Sequence, residues 1–574
     1  TEQKILCQQM VRLLKHTTPL TSILTCFHLY SIPTANGCGG FWCNNNLRLN
    51  QAAENILFIQ NQNKTHPSES TVTAVVQILY DGPSERFAWL LPVPTEPEVD
   101  VSSNEAFVRL MSSTDPQFVL EELWEGNECQ FVPDKKFKGG DVMANTAESS
   151  ASVEEIEADV TVVKADSVGP YDYVLIKINP DAESPAEVAV DWLQENDYDV
   201  FDSTATVLDP YLQKQMMLLA FRLTKGGNDA ADVGSIRPIV LTYKSEKPMI
   251  PLLPTAVAAN DDMGIRVWVA SDHPVYPANY NSLVLNEALI HWFDWRSTYN
   301  DVVTAAANEA EDGQGFVTEL ALPTANYKDA IFSVNDEEWW KYFQESYVKM
   351  ETTDSNGFDA IQEASWKLRF WDGWRETVAA SVLLPKGVSM DDFGTSPFLY
   401  QDQVQVNLTT FLQLLEINVV LPLKHTQDLL NQRPYLTRMY TTMSAWEMTE
   451  DPVFDSDELL PQVSNVHTAN ITVHCDNGVT YWDAPWTIYI SGGGNITGVG
   501  RQFWPYLVGD MPATSKVEQL SYMGASNVIR DNQDEILRTL EKGPIDRTSG
   551  SYRSCLCVCV GKLLIVASFL FLIF

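Results

Sequence analysis

The sequence has few basic residues for its length. It holds 38 lysines and arginines against 76 aspartates and glutamates, which gives a formal net charge of −38 over 574 residues. A field of this sign repels phosphate backbones and anionic lipid headgroups, so nucleic acid is not an expected partner. We interpret the acidic excess as a solvated surface, with attraction of divalent cations as the alternative.

The sequence also lacks the motifs of common phosphate-binding and hydrolytic sites. It contains no GxxxxGK[ST] loop, no GxGxxG between a strand and a helix, no HExxH and no GxSxG. The glycine-rich run Gly492–Gly494, followed by Gly498 and Gly500, carries a glycosylation sequon and no lysine. A turn explains this run better than a phosphate cradle does.

Cysteine is scarce, and four of the 9 cysteines lie between the two ends of the chain. An even number in an exported protein predicts two disulfides, for which three pairings exist. We expect a local Cys38–Cys43 loop and a long-range Cys129–Cys475 link. A metal site at these residues is the weaker alternative, because no CxxC pair is present.

Histidine is equally scarce, and the tightest group is His467, His474 and Cys475. Seven residues along a strand direct the two rings to opposite faces, so shared ligation would need a bend. We therefore predict no metal and no cofactor.

Long apolar runs are confined to the ends of the chain. At the N-terminal end, the apolar run Pro19–Tyr30 follows Arg12 and Lys15 and precedes the small residues Ala35–Gly37, an arrangement typical of a signal peptide. The run is too short to cross a bilayer. A buried core helix is the alternative.

At the C-terminal end, Cys555–Phe574 has the length of a membrane span, although Lys562 near its middle is costly in a bilayer. Ser549, Gly550 and Ser551, a short spacer and a terminal apolar run also suit a glycolipid-anchor signal. The sequence fits both a membrane span and a glycolipid anchor, and each predicts membrane attachment.

Four N-glycosylation sequons lie between the ends. Together with a leader and an apolar tail, they predict a eukaryotic surface glycoprotein. The acceptor residues are Asn63, Asn407, Asn470 and Asn495.

Apolar alternation predicts strands at Thr71–Tyr80 and Arg86–Leu91, and the turn residues Asp81–Ser84 between them predict a hairpin. The segment Lys135–Asp159 lacks this periodicity and is predicted to be an acidic linker or loop. Further strands are predicted at Val160–Lys164, Tyr171–Ile178, Met216–Leu223, Pro238–Tyr243, Ile265–Ala270, Phe316–Ala321, Ile471–His474, Thr480–Trp482 and Trp486–Ile490. Helices are predicted at Asn104–Ser113, Pro185–Asn196, Leu283–Glu309, Asp336–Trp374 and Gln427–Arg433.

Tryptophan is concentrated in the helical block from 336 to 374. Its spacing predicts packing between helices or in the core, and a carbohydrate platform is the alternative. The residues are Trp339, Trp340, Trp366, Trp371 and Trp374.

Several runs, in order, resemble the bacterial domain-of-unknown-function family 2330. They are CGGFWC (38–43), QAAENILF (51–58), FAWLLPVP (87–94), VGPYDYVLIKI (168–178), WLQENDY (192–198) with DPYL (209–212), GFVTELA (315–321) and YLTRMYTTMSAWEMTEDPVF (435–454). The resemblance implies an exported protein whose folding unit extends from Cys38 to about Asp455. It implies no activity. The segment from about Pro323 to Val406 and the apolar tail depart from the family pattern.

Two carboxylates stand in apolar surroundings, Glu319 in GFVTELA and Asp172 in VGPYDY. Burial would raise their pKa values and suit them to acid–base chemistry. The simpler interpretation is a carboxylate hydrogen-bonded to backbone or to an arginine, with Arg438 and Arg86 as candidate partners.

We therefore expect an α+β, β-rich exported ectodomain with helical insertions and a C-terminal anchor. The expected parts are a leader (1–37), a β-rich part (38–134), an acidic linker (135–159), a second α+β part (160–322), a Trp-rich insertion (323–406), a mixed part (407–548) and an anchor (549–574). The expected role is non-enzymatic binding or structure at the cell surface or in the endomembrane lumen, with surface proteins or glycans as partners. A carboxylate-dependent, glycosidase-like hydrolase is the alternative.

Overall fold

A computed structural model describes most of the chain. The described residues are 41–43, 50–81, 86–126, 160–196, 198, 200, 203–224, 234–235, 237–257, 259–348, 354–368, 374–475, 479–492 and 494–544. The predicted leader, acidic linker and anchor fall outside these ranges, as do Cys38, Cys129, Ser549, Gly550 and Ser551.

Strands are distributed along the whole described part of the chain. In chain order they are β1 (Phe41–Cys43), β2 (Asn50–Asn61), β3 (Thr71–Asp81), β4 (Arg86–Val93), β5 (Glu98–Val101), β6 (Gln117–Gly126), β7 (Val160–Val168), β8 (Tyr171–Ile178), β9 (Met217–Thr224), β10 (Gly234–Ser235), β11 (Ile239–Lys244), β12 (Ala259–Ser271), β13 (Val275–Pro277), β14 (Asn281–Leu285), β15 (Gly315–Pro323), β16 (Val382–Leu383), β17 (Gln405–Val406), β18 (Tyr435–Met443), β19 (Phe454–Ser456), β20 (Val466–Cys475), β21 (Pro485–Tyr489), β22 (Asn495–Val499), β23 (Thr514–Ser521) and β24 (Ala525–Asp531).

Helices are fewer and cluster in the second half of the chain. They are α1 (Asn104–Thr114), α2 (Pro185–Glu195), α3 (Thr204–Gln213), α4 (Leu252–Thr255), α5 (Tyr299–Glu309), α6 (Val334–Val348), α7 (Asp354–Leu368), α8 (Trp374–Ser381), α9 (Met390–Thr395), α10 (Leu408–Leu415), α11 (Leu421–Leu430) and α12 (Gln533–Lys542). A π-helical turn, Glu416–Val420, joins α10 to α11, and short 3-10 turns occur in the connecting segments. The expected β-rich α+β class is confirmed.

The central sheet organises the molecule, with strand order β24-β23-β14-β15-β18-β12-β2-β3-β11-β5. Its middle strands are apolar on both faces, as strands buried between two layers must be. In β2, Ile56 and Phe58 contact one core, whereas Leu57 and Ile59 contact another. β2 runs parallel to β12, so the carboxyl ends of both strands reach the same edge of the sheet.

A second sheet, with strand order β1-β4-β9-β8-β7, packs on one face of the central sheet. The core between them includes Trp89, which stacks on Phe221 with ring centroids 5.4 Å apart. The predicted hairpin of Thr71–Tyr80 with Arg86–Leu91 is wrong, because β3 pairs within the central sheet and β4 pairs with β1 and β9. The two strands lie in different layers and line the same core.

Helices cover the opposite face of the second sheet and part of the central sheet. α2 and α3 pack on the second sheet. On the other side of the molecule, α1 and the helices between 334 and 430 cover Leu57, Trp268 and Leu436 of the central sheet. The Trp-rich segment thus contributes to the same core as the central strands.

A C-terminal sheet, with strand order β22-β21-β20-β6, completes the described layers. Together with α5 and α12 it packs against the β14–β15–β23 part of the central sheet, and Ile471, Val473 and Trp486 lie in this core. β6 lies parallel to β20, with Gly126 opposite Cys475. Cys475 is buried and disulfide-bonded. Because Cys129 is not among the described residues, the Cys129–Cys475 pairing stays a prediction.

Three predicted elements differ in the structure. The region 283–309 is not one helix, because β14 and two short 3-10 turns precede α5. Thr480–Trp482 forms a turn before β21, and the helix predicted at Gln427–Arg433 instead spans Leu421–Leu430. None of the helices in the described ranges combines the length and apolar character that a bilayer crossing requires.

Candidate functional site

Glu319, the first candidate acid, lies in a closed ion-pair network. Thr318 pairs with Met439 and Leu320 pairs with Arg438, so Glu319 is the extra residue of a β-bulge in β15. Its side chain is fully buried, with Oε2 2.6 Å from Nε of Arg438. The Tyr299 hydroxyl donates a hydrogen bond of 2.6 Å to Oε1 of Glu319.

Arg438 extends this network to α1. Its Nη1 donates to Asp115 at 2.8 Å and to the hydroxyl of Thr114 at 3.0 Å. Burial alone would lower the pKa of the Arg438 guanidinium, but the carboxylates of Glu319 and Asp115 hold that pKa above its ordinary value. The guanidinium also lies 5.2 Å from the ring of Trp268. Of the two interpretations of Glu319, this geometry matches the carboxylate that is paired with an arginine.

Asp172, the second candidate acid, is exposed on β8 and accepts a hydrogen bond of 2.6 Å from Ser167. The expectation that it is buried is wrong, because its side chain points away from the apolar face that holds Tyr171 and Tyr173. The side chain of Arg86 lies outside the described part of the structure.

Within the described part of the Trp-rich helices, the tryptophan side chains do not form a continuous aromatic surface. Trp340 is buried, and Trp339 stacks near Phe343 while its indole N–H donates to Glu363 at 3.0 Å. Trp366 is 87% exposed on α7. The core interpretation is therefore confirmed for Trp339 and Trp340. The side chains of Trp371 and Trp374 are not described.

An exposed aromatic cluster lies instead at one end of the C-terminal sheet. The carboxyl end of β6, the turn before β21 and the residues after β22 all reach this end of the sheet, because β6 and β20 are parallel and β21 and β22 alternate with them. Trp124 is 49% exposed and Trp482 is 44% exposed. With Tyr481 between them, these residues form what we call the aromatic platform.

Polar contacts fix the middle ring of the aromatic platform. The Tyr481 hydroxyl donates a hydrogen bond of 2.6 Å to Oε1 of Glu122, which also accepts from Nη1 of Arg501 at 3.0 Å. The Arg501 guanidinium lies 3.8 Å from the centroid of the Tyr481 ring. Burial and the hydrogen bond to Glu122 raise the pKa of Tyr481 to about 12, against a lowering effect of Arg501. Tyr481 is therefore a neutral donor at physiological pH.

The outer rings pack on this fixed centre. Trp124 stacks on Tyr481 at 5.4 Å with an interplanar angle of 26°, and Trp482 meets Tyr481 edge-on at 5.3 Å. Such offset and edge-on pairs are the preferred aromatic geometries. Both tryptophans thus hold a defined orientation while nearly half of each remains accessible.

A packed aromatic cluster adjoins the aromatic platform through Arg501. Arg501 also lies 4.8 Å from the Phe293 ring, which meets Trp486 edge-on. A Cβ atom on Gly498 would lie 2.3 Å from the Trp486 ring, so this position requires glycine. The glycine-rich run is therefore explained by close packing here and by turns at Gly492 and Gly500, where φ is positive.

Two of the predicted glycosylation acceptors lie on the outer face of the C-terminal sheet. Asn470 pairs with Tyr489, and Tyr489 pairs with Asn495, so the two asparagines flank Tyr489 in one row. Both are exposed. Asn407 is an exposed N-cap of α10, and Asn63 lies in a turn after β2.

His467 and His474 lie on opposite faces of β20. His467 stacks on Phe118 and contacts Glu287 at 2.7 Å on the inner face, whereas His474 contacts Thr487 and Glu125 on the outer face. Across the described ranges, no group of three or more histidine, cysteine, aspartate or glutamate side chains is placed to hold a metal ion.

The comparisons with known proteins identify a family. The model of DUF2330, described as an uncharacterized protein conserved in bacteria, matches residues 32–335. The chain belongs to this family. No curated protein and no solved structure matches it. The matched region includes β2, β6 and the Glu319 bulge. Arg438, Tyr481 and Trp482 lie beyond it.

The aromatic platform was not predicted from the sequence. Glu122 and Tyr481 are 359 residues apart, and no local pattern links them. The adjacent aromatic residues Tyr481 and Trp482 were the available signal, but they were assigned to a strand. The structure has a turn there, which exposes Trp482 and leaves Tyr481 half-buried.

Proposed function

We propose that this DUF2330 protein is an exported, non-catalytic binding protein whose aromatic platform contacts the sugar rings of glycans. The observation that carries the proposal is the pair of half-exposed tryptophans, Trp124 and Trp482, held in defined orientations around Tyr481. Flat aromatic rings pack well against the C–H faces of pyranoses.

The rigidity of the aromatic platform supports binding. Because Glu122 and Arg501 already fix Tyr481, a ligand would not have to order these side chains on binding, and that lowers the entropic cost of association. Exposed polar groups next to an apolar ring suit a ligand that has both C–H faces and hydroxyl groups.

The cellular location of the protein is part of the same proposal. A leader, sequons at Asn63, Asn407, Asn470 and Asn495, and attachment through residues 549–574 would display the folded part on a membrane facing the lumen or the cell exterior. The exposure of Asn407, Asn470 and Asn495 is compatible with glycosylation.

The hydrolase alternative has less support. A glycosidase uses two carboxyl groups about 5–10 Å apart beside the substrate. Glu319 is enclosed in its ion pair with Arg438, and Glu122 is occupied by Tyr481 and Arg501. The carboxylates with the most defined surroundings thus hold structure together.

Titration of intrinsic tryptophan fluorescence in the purified full chain tests the proposal, with cellotriose, chitotriose and mannotriose as probes. We expect saturable binding of at least one probe. Trp124→Ala and Trp482→Ala should each weaken the affinity of the protein for that probe by about tenfold, because the loss of an aromatic side chain that contacts the ligand has an effect on this scale.

Trp366→Ala is the matched control, since Trp366 is an exposed tryptophan on α7, remote in sequence from the aromatic platform. It should leave the affinity unchanged. Failure of all three sugars to bind, or equal losses in the platform and control variants, would refute glycan binding at this surface. Release of smaller sugars during the titration would favour the hydrolase.

A further inference from the structure

A polar cleft lies at the carboxyl edge of the central sheet, remote in sequence from the aromatic platform. It has a volume of about 590 Å³ and is lined by the loop 61–65 together with Asp272 and Arg433. The loop follows β2, Asp272 follows β12, and Arg433 precedes β18. The parallel pairing of β2 and β12 therefore brings the lining together.

The loop is held in shape by one asparagine. Oδ1 of Asn63 accepts hydrogen bonds from the backbone N–H and the hydroxyl of Thr65, at 3.1 and 2.7 Å, and from the backbone N–H of His66 at 3.0 Å. Nδ2 of Asn63 donates to Glu69 at 3.1 Å. These bonds occupy Asn63 and Thr65 and leave the exposed Lys64 side chain beside the cleft.

The opposite wall carries a second cation. Nη1 of Arg433 donates to Oδ1 of Asp272 at 3.1 Å. Nε of Arg433 is buried and has no hydrogen-bond partner among the described residues. Although Nε itself is enclosed, the Arg433 side chain is 24% exposed and borders the cleft.

The lining thus has two cations, Lys64 and Arg433, against one carboxylate, Asp272. This local positive excess contrasts with the net charge of −38 of the whole chain. Guanidinium groups recognise carboxylates through paired, charge-assisted hydrogen bonds.

We propose that this cleft binds a small carboxylate-bearing ligand, either a sugar acid or a free organic acid. The carboxylate accepts from the Arg433 guanidinium and from the Lys64 ammonium. The amide of Gln62, which also lines the cleft, hydrogen-bonds polar groups on the remainder of the ligand.

Isothermal titration of the purified full chain at low ionic strength tests the proposal, with D-glucuronate as probe, D-glucose as its neutral counterpart and lactate as a small organic acid. We expect glucuronate to bind at least about tenfold more tightly than glucose, since charged hydrogen bonds contribute on this scale. Comparable affinity for lactate would identify the carboxylate alone as the recognised group. Weaker affinity for lactate would point to a sugar acid.

Arg433→Gln and Lys64→Gln should each weaken glucuronate binding by about tenfold. Lys64→Gln keeps the test valid if Arg433→Gln perturbs the fold, because Lys64 is exposed and forms no ion pair with another described residue. Lys177→Gln, which removes an exposed lysine from β8, is the matched control and should have no effect. Equal affinity for glucuronate and glucose, or glucuronate binding that survives Lys64→Gln undiminished, would overturn the proposal. The cleft and the aromatic platform share no residue. If the trisaccharides fail to bind, the proposed function is refuted, but the glucuronate titration still tests the cleft.

Discussion

At the scale of single residues, the most unusual group is Glu54 in the QAAENILF motif. It is 6% exposed, and its neighbours across the sheet are Ile78 on β3 and Ile265 on β12. Burial raises the pKa of Glu54 from 4.5 to about 7, and a hydrogen bond from Gln51 at 3.3 Å only partly opposes this effect. The central sheet therefore contains a carboxyl group that titrates near neutrality.

This pKa predicts a pH-dependent stability. Between about pH 4.5 and about pH 7, the folded protein holds a proton on Glu54 that the unfolded chain has released, so the free energy of unfolding falls as pH rises through this window. Below it both states are protonated and above it both are ionised, so the contribution is constant there. A shift of this size corresponds to a decline of about 3 kcal/mol.

Glu54→Gln should remove this decline while preserving the shape of the side chain. Denaturant unfolding of the wild type and the variant at about pH 5 and about pH 8 measures the difference. We expect the variant to gain stability relative to the wild type as pH rises. Parallel pH profiles for the two proteins would contradict the assignment.

At the scale of elements, the buried Glu319–Arg438 pair links a strand bulge to two helices. Tyr299 begins α5, and Thr114 ends α1. Removing one partner of a buried ion pair leaves an uncompensated charge, which costs about 3–5 kcal/mol. The pair therefore fixes how α1 and α5 sit on β15 and β18.

Glu319→Gln should lower the free energy of unfolding by about 3 kcal/mol, because Arg438 would keep only Asp115 as a charged partner. Chemical denaturation measures this loss, and Glu195→Gln, which changes an exposed residue at the end of α2, is the control. A double variant that combines Glu319→Gln with Arg438→Met should be less destabilised than the sum of the two single changes. Unchanged stability of the Glu319→Gln protein would contradict this structural role.

At the scale of the whole molecule, the layers form one β-rich α+β assembly in which the Trp-rich segment shares a core with the family strands. The whole chain carries a net charge of −38, a field that repels phosphate groups. The predicted anchor lies outside the described ranges.

Membrane attachment through residues 549–574 predicts that the whole chain, expressed in eukaryotic cells, stays on the cell surface, whereas a chain ending at residue 548 enters the medium. Surface immunostaining and assay of the medium measure this. Release of the whole chain by phosphatidylinositol-specific phospholipase would identify a glycolipid anchor, and retention after digestion would identify a membrane span. Whole chain found free in the medium without digestion would contradict attachment.

The sequence by itself determined most of the local structure. Strand β8 was predicted at its observed bounds, and α1 and α2 were predicted within one residue at each end, because apolar periodicity and helix start signals are local. It also determined the family, the acidic character and the candidate pairing of Glu319 with an arginine.

Only the tertiary structure decided which layer each strand joins and which distant residues meet. Adjacent β3 and β4 separate into different sheets, because the choice of partner depends on β2, β9 and β11 elsewhere in the chain. The aromatic platform and the polar cleft likewise join segments that are far apart in the sequence. Their chemistry depends on contacts that no local pattern encodes, whereas periodicity, caps and charge are properties of neighbouring residues.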